Sequence, residues 1–393
     1  MADKRREHGT GGVTQRKDGR WQGQYDAGVK PNGKRDVKYV YGKTEAECKR
    51  KLRELIKEIH SSDYISVQKE SVKDYMNSWL VNVKQNQLKP KSYDRLEQTL
   101  LYDVYPYIGE IQLQAIKADD IQNMLNELKK DGKAYSTIKK AYDAVNSCFK
   151  LGIEKRTVSN NPAIGVIIPN RKLFPVQKIP FYTQEEAKRL IEQATICWPN
   201  GTRRYPLGSF VPLIINTGLR MGELLALKWD EDIDFENKTL TVHKNISLVK
   251  NRKEDSEKKY ELLLQDSVKT DAGQDRSIPL NEQAINALLD LKSVTGNSPF
   301  VMTTKNETHV SPRNIDRIFR RIAKAAGFEE EKIFGVHSLR HTFATLLLSN
   351  GVEIKTVSEL LGHSDVTITY NTYIHVIKDQ KRKALAAIPN LVK

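Results

Sequence analysis

The sequence predicts a multidomain chain. A small α+β N-terminal domain of three strands and one helix precedes an all-α domain, and a mixed, mainly-α domain with a small antiparallel sheet ends it. Three observations carry this reading. At 393 residues the chain is too long for one core. The hydrophobic period is that of strands up to about residue 42 and that of helices from there to about 165. The stretch VSNNPAIGVIIPNRK then breaks the helical period with Pro162 and Pro169, before a region that mixes both periods. The expected boundaries are 1–63, 64–168 and 169–393.

In the first domain, RKDGRW offers a Lys-Asp-Gly turn and VKPNGKRD a hairpin turn at Asn32-Gly33. In RWQGQYD, Trp21 and Tyr25 share one face, and Arg20, Gln22 and Gln24 the other. In KRDVKYVY, Val37, Tyr39 and Tyr41 alternate with Lys38 and Val40. Thr44 and Glu47 form a capping box that opens a helix with Cys48, Leu52, Leu55, Ile56 and Ile59 on one stripe. The expected product is a sheet backed by that helix, with a polar, basic face left free. Residues 1–60 hold 16 Lys/Arg against 9 Asp/Glu, about half of the chain's excess of +15. Arg20, Gln22, Gln24, Lys34 and Lys38 are therefore the candidate nucleic-acid contacts of a strand-based reader.

In the second domain SVKDYMNSWLVNV, KSYDRLEQTLLYDVYPYIG, KADDIQNMLNELKKDG and YSTIKKAYDAVNSCFKLGI predict four or five helices, with Asp-Gly and Ile-Gly as stops. In the third, helices are expected near 184–195 and 205–216, then a strand-rich basic stretch from 239 to 280, then more helices.

The charge points to a polyanionic partner, nucleic acid before an acidic membrane surface. No uncharged apolar run approaches 18 residues, and MADKRREHGT has no apolar signal core, so a cytoplasmic protein without a membrane partner is expected. Cys48, Cys148 and Cys197 are far apart and make neither a disulfide framework nor a metal site.

Four stretches of the third domain carry groups suited to phosphoryl transfer. In NTGLRMGELLALKW, Gly218 permits a tight turn and the apolar stripe after it places Arg220 at a helix start, beside free backbone N–H groups. In SVKTDAGQDRSIPL, strand-like runs flank Asp271-Ala272-Gly273 and put Lys269 near a hairpin tip. In VHSLRHTFATLLLSNG, Leu339, Phe343 and Leu346 fall on one side of a helix and His337, Arg340 and His341 on the other. In LLGHSDVTITYNTYIHV, a short helix ends at Gly362 and leaves His363 at an exposed turn, followed by Tyr370 and Tyr373.

These stretches, in this order and spacing, resemble the catalytic domain of the tyrosine recombinases, the phage-integrase family. The upstream regions look like that family's helical core-binding domain and small arm-binding domain. The resemblance implies that Arg220 and Arg340 grip the scissile phosphate and that Lys269 protonates the leaving 5′ oxygen. It implies that His337 assists proton transfer from the nucleophile and that His363 hydrogen-bonds the phosphate. The family spacing, nine or ten residues after the histidine of LGH, selects Tyr373 as the nucleophile. Tyr370 shares a helical stripe with Ile374 and Ile377 and is expected to pack. The implied partners are double-stranded DNA at core-type and arm-type sites, three further copies of the chain in a tetramer on DNA, and an accessory excision factor. No cofactor and no metal is called for. The tail IKDQKRKALAAIPNLVK is expected to dock on a neighbouring protomer.

Competing readings explain less. A non-catalytic helix-turn-helix regulator accounts for residues 350–373 but leaves Arg220, Lys269 and the HSLRH face unexplained. A metal hydrolase using His337, His341 and His363 lacks the Glu that should follow the first histidine, where Ser338 stands. A topoisomerase-like enzyme has less need of a second, N-terminal DNA address.

Overall fold

The computed structural model describes residues 11–29, 35–60, 70–175, 179–253, 256–266 and 276–374. They divide into two compact units, 1–175 and 176–393.

The first unit begins with an antiparallel sheet of β1 (Gly12–Gln15), β2 (Trp21–Val29) and β3 (Arg35–Gly42), in that order. The predicted Lys-Asp-Gly turn joins β1 to β2, with the Gly19 N–H donating to the Arg16 carbonyl at 3.0 Å. Helix α1 (Glu45–His60) backs the sheet, opened by the Glu47 N–H donating to Thr44 Oγ1 at 3.2 Å, and buries Cys48 and Leu52. The pairing corrects the predicted free face. Gln22 lies opposite Tyr41 and Gln24 opposite Tyr39, so these four share one face. Lys38 lies opposite the buried Tyr25, on the other face, and pairs with Asp36 at 3.1 Å. The free face is therefore glutamine and tyrosine, with Tyr39 and Tyr41 about half exposed. Arg20 is paired with Asp18 at 2.9 Å. Lys34 and the Asn32-Gly33 turn lie outside the described residues.

All four predicted helical stretches form helices: α2 (Val72–Trp79), α3 (Pro90–Thr99), α4 (Ala118–Lys130) and α5 (Tyr135–Glu154). The Ser71 hydroxyl caps α2, and Pro90 stands in the first turn of α3, where a missing N–H costs nothing. Met76, Leu100, Ile121, Leu125, Val145 and Phe149 meet in one core. The Pro-rich stretch expected to be a linker packs back on that core through Ala163, Val166 and Phe174. Gln122 fixes it further by exchanging two hydrogen bonds with the Ile167 backbone.

The second unit is built around α7 (Phe210–Thr217), where only Asn216 is not buried. Before it comes α6 (Gln184–Ala194), opened by a Thr183–Glu186 capping box; after it comes α8 (Met221–Ala226). The predicted strand region forms two sheets rather than one. The first contains β4 (Ile233–Asp234), β5 (Thr239–Val242) and β8 (Arg276–Pro279); the second is the hairpin of β6 (Lys244–Lys250) and β7 (Tyr260–Asp266). Four helices follow: α9 (Glu282–Thr295), α10 (Pro312–Ala325), α11 (His337–Ser349) and α12 (Ile354–Leu361). Residues 366–374 are helical as well. The main core runs from Leu190 and Phe210 through Leu240 and Leu288 to Phe319 and Leu339. A satellite cluster of Phe343, Leu348, Val357 and Leu361 closes over Tyr373.

Candidate active site

The site is assembled by turns at the ends of buried helices. Gly218 stops α7 in the left-handed conformation, with φ 66° and ψ 19°, which sends the chain back to start α8 at Arg220. The backbone N–H of Arg220 is itself paired. It donates to Glu223 Oε2 at 2.9 Å, while Arg220 Nη1 reaches Glu223 Oε1 at 2.6 Å. Glu223 is itself buried and takes a second cation, Arg276 Nη2 at 2.8 Å. Burial alone would push the Glu223 carboxyl up, but the charges of Arg276 and then Arg220 outweigh it and hold it at about 2.

Arg340 comes from the first turn of α11 and is 3% exposed. Its Nη1 donates to the Gly218 carbonyl at 2.6 Å and its Nη2 to the Leu361 carbonyl at 2.5 Å. Arg276 Nη1 donates to the same Leu361 carbonyl at 3.0 Å, and Arg220 Nη2 to the Gly362 carbonyl at 3.3 Å. Three guanidiniums thus converge on the turn that ends α12, with one carboxylate among them. Such a group, rich in positive charge and held by its own backbone, is prepared for an anion.

His363 follows that turn. Its Nε2 lies 3.1 Å from Arg340 Nη2 and its Nδ1 2.8 Å from the Thr369 hydroxyl. Arginine only donates, so Nε2 accepts and the ring hydrogen sits on Nδ1, aimed at Thr369 Oγ1. Burial first, then the charges of Arg340 and Arg220, lower its pKa to about 4 and keep it neutral. His337 opens α11 and is exposed; the protein against one side of its ring, then Arg340 and Arg220, lower its pKa. Its ring meets that of His341 edge-on, centroids 4.7 Å apart. Both nitrogens of His363 are engaged, one by a cation, so the three histidines do not present a metal ligand set. Among the described residues no group of His, Cys, Asp and Glu is arranged to hold a metal.

The two tyrosines are placed opposite to their predicted packing. Tyr373 is 1% exposed, whereas Tyr370 is 40% exposed. The Tyr373 hydroxyl lies 2.8 Å from His341 Nδ1. Burial raises the phenol to about 12 against a weaker pull from Arg340, so ionising it at pH 7 costs about 7 kcal/mol rather than the ~4 of a free phenol.

The described residues therefore bring Arg220, Arg340, His363, His337 and Tyr373 into one region of one unit. Lys269 lies outside them. Sequence reasoning did not single out Glu223, Arg276 or Thr369, and gave His341 a role only in the metal-hydrolase alternative. A usable signal was present for the first: Glu223 is a lone charge in the apolar run MGELLAL, three residues after Arg220.

The model described as phage integrase family matches residues 180–380, and that of the phage integrase N-terminal SAM-like domain matches 71–129. A tyrosine recombinase XerC-like protein of Caldanaerobacter subterraneus subsp. tengcongensis is 31% identical over 378 residues, 92% of this chain and 93% of its own length. The transposase from transposon Tn916 of Enterococcus faecalis is 26% identical over 424 aligned residues, 100% of this chain and 98% of its own. Among solved structures, the Tn1549 transposon integrase (residues 82–397) in complex with transposon right end DNA superposes with a TM-score of 0.62 at 22% identity. That match covers 81% of this chain and all of the other. The chain belongs to the phage integrase family. It is a tyrosine-type site-specific DNA recombinase. No helix among the described residues is long and apolar enough to cross a membrane.

Proposed function

We propose that the protein integrates and excises a mobile element by cutting and rejoining double-stranded DNA through a 3′-phosphotyrosine. The observation that carries this reading is the guanidinium group around Arg220 and Arg340, built on one turn in the same unit as a tyrosine hydroxyl. The full-length likeness to a transposase supports the mobile-element assignment.

In this reading Arg220 and Arg340 hold the non-bridging oxygens of the scissile phosphate and stabilise the charge that grows in the transition state. Tyr373 attacks phosphorus, and the bond to the 5′ oxygen breaks as Lys269 protonates it. One ester replaces another, so no nucleotide cofactor is consumed. His337 assists removal of the phenol proton. His363 steadies Arg340 and reaches the phosphate by giving up that bond. Exchange between two duplexes takes four cleavages, hence a tetramer on DNA. Residues 1–63 hold an arm-type site, while 64–168 and 169–393 clamp the core site in the cytoplasm. Gln22, Gln24, Tyr39 and Tyr41 stand on the exposed face of the N-terminal sheet, and an accessory factor sets direction.

The test is covalent trapping in EDTA. The protein is incubated with nicked duplexes spanning the ends of its element, and adducts are resolved on a denaturing gel. An adduct from the wild-type chain and from Tyr370→Phe, absent in Tyr373→Phe, is the expected result. An adduct that survives Tyr373→Phe, or one that needs added metal, would overturn the assignment.

A further inference from the structure

We propose that His341, rather than His337, is the catalytic base that takes the hydroxyl proton of Tyr373 as the phenol attacks phosphorus. The inference rests on the recombinase reading and deepens it.

Position carries the argument. His341 Nδ1 is 2.8 Å from the Tyr373 hydroxyl, with ring centroids 5.9 Å apart, and the phenol it touches is sealed from water. A base must lie within hydrogen-bond reach of the proton it removes, and within the described residues His341 is the side chain the structure bonds to that oxygen. His337 is one helical turn earlier, and its ring meets that of His341 edge-on. Its exposure fits it for the next position, passing the proton on to water.

Charge explains why the pair is quiet at rest. The groups facing His341 are His337 and Arg340 from α11, His363 from the turn after α12, and Tyr373 itself. Burial first, then His337, Arg340 and His363, lower the imidazole to about 4, while the phenol stands at about 12. The proton therefore stays on oxygen in the free protein. A scissile phosphate gripped by Arg340 sets a negative charge against one of the cations that depress the imidazole. As the oxygen bonds to phosphorus its proton becomes strongly acidic, and Nδ1 is already within hydrogen-bond distance to receive it.

The step balances. The O–H electron pair of Tyr373 forms the new O–P bond, and the proton moves to His341 Nδ1, giving an imidazolium. The P–O5′ bond breaks, and its electron pair takes the proton supplied by the general acid. In the reverse step the 5′-hydroxyl attacks the phosphotyrosine, and His341 returns the proton to the departing phenolate.

The experiment uses the full chain and the nicked duplexes described above, reading the single-turnover rate of adduct formation and, separately, DNA binding. His341→Gln keeps a hydrogen-bond partner for the phenol but no base, and is expected to slow adduct formation about 100-fold or more with binding unchanged. His341→Ala is expected to be slow as well, and added imidazole to restore its rate in proportion to concentration. A rate for His341→Gln within about threefold of wild type, well short of a general-base effect, would overturn the proposal. So would a faster rate, which would make His341 only a latch, or a folded His341→Ala that imidazole does not rescue. If circular dichroism shows that one variant has not folded, the other decides. Loss of the adduct from the wild-type chain, or its persistence in Tyr373→Phe, is a failure of the recombinase reading instead.

Discussion

Arg340, Arg276 and Arg220 each have terminal nitrogens tied to fixed partners: the Glu223 carboxylate and the carbonyls of Gly218, Leu361 and Gly362. Tyr373, on the helical residues 366–374, is held by apolar packing and by a hydrogen bond to a neutral imidazole. The arginine half is charged and rigid before any substrate is present, and the tyrosine half is neutral and buried. Charge stabilisation must be prebuilt to be useful, because reorganising dipoles during the reaction costs what the site should supply. A nucleophile has no such need, and a buried protonated phenol does not react by accident.

The comparison can be broken most directly at Arg340. Arg340→Lys keeps the charge, but a lysine cannot bond two carbonyls and His363 in one plane. Adduct formation should fall about 100- to 1,000-fold, with little change in binding to uncut DNA. A loss under about tenfold would mean that the prebuilt fork is not what the reaction uses.

Glu223→Gln tests the rigidity of the same half. The Glu223 carboxyl is depressed from 4.5 to about 2 in the folded chain, so it favours folding above its unfolded pKa and loses that contribution as pH falls toward 2. The variant should be less stable at pH 7 by about 3 kcal/mol, with the gap closing between pH 4.5 and 2. Urea melts of both proteins across that range are the check, and a gap independent of pH would assign the loss to packing instead.

A smaller effect is expected at Gly362, which takes φ 61° where its carbonyl meets Arg220. In Gly362→Ala the left-handed backbone costs about 1–2 kcal/mol, and the new methyl runs into the Arg276 guanidinium. Thermal unfolding reads the cost, and the adduct rate reads whether the turn aligns the arginines. The smallest effect belongs to Tyr370→Phe, which removes an exposed hydroxyl and should leave adduct formation within about twofold of wild type, as surface substitutions generally do. A loss as large as that of Tyr373→Phe would mean that the buried phenol is not the nucleophile.

Much of this was legible in the chain itself. Helical periods and caps gave α2 to α5 at their observed places because those helices each bury one continuous stripe. Less legible were contacts between residues far apart in sequence. Arg276 reaches Glu223 across 53 positions, and Arg340 reaches Gly218 across 122. On the free face of the N-terminal sheet Gln22 and Gln24 stand where expected, but Lys38 does not, for a related reason. Alternation along β3 separates Tyr39 and Tyr41 from Lys38, but only the pairing with β2 decides which set lies with the buried Tyr25.

The tyrosines state the division most sharply. The sequence by itself determined that residues near 370 are helical, that Tyr370 and Ile374 share one stripe, and that the chemistry is that of the phage integrase family. It did not determine which stripe is buried. Tyr373 packs in the cluster of Phe343, Val357 and Leu361 and Thr369 is fully buried, while Tyr370 and Ile374 are 40% and 36% exposed. A period of 3.6 fixes which side chains lie together on a helix, but the rotation of that helix about its axis is set by what it packs against. Only the tertiary structure supplies that neighbour, and with it the histidine that holds the phenol.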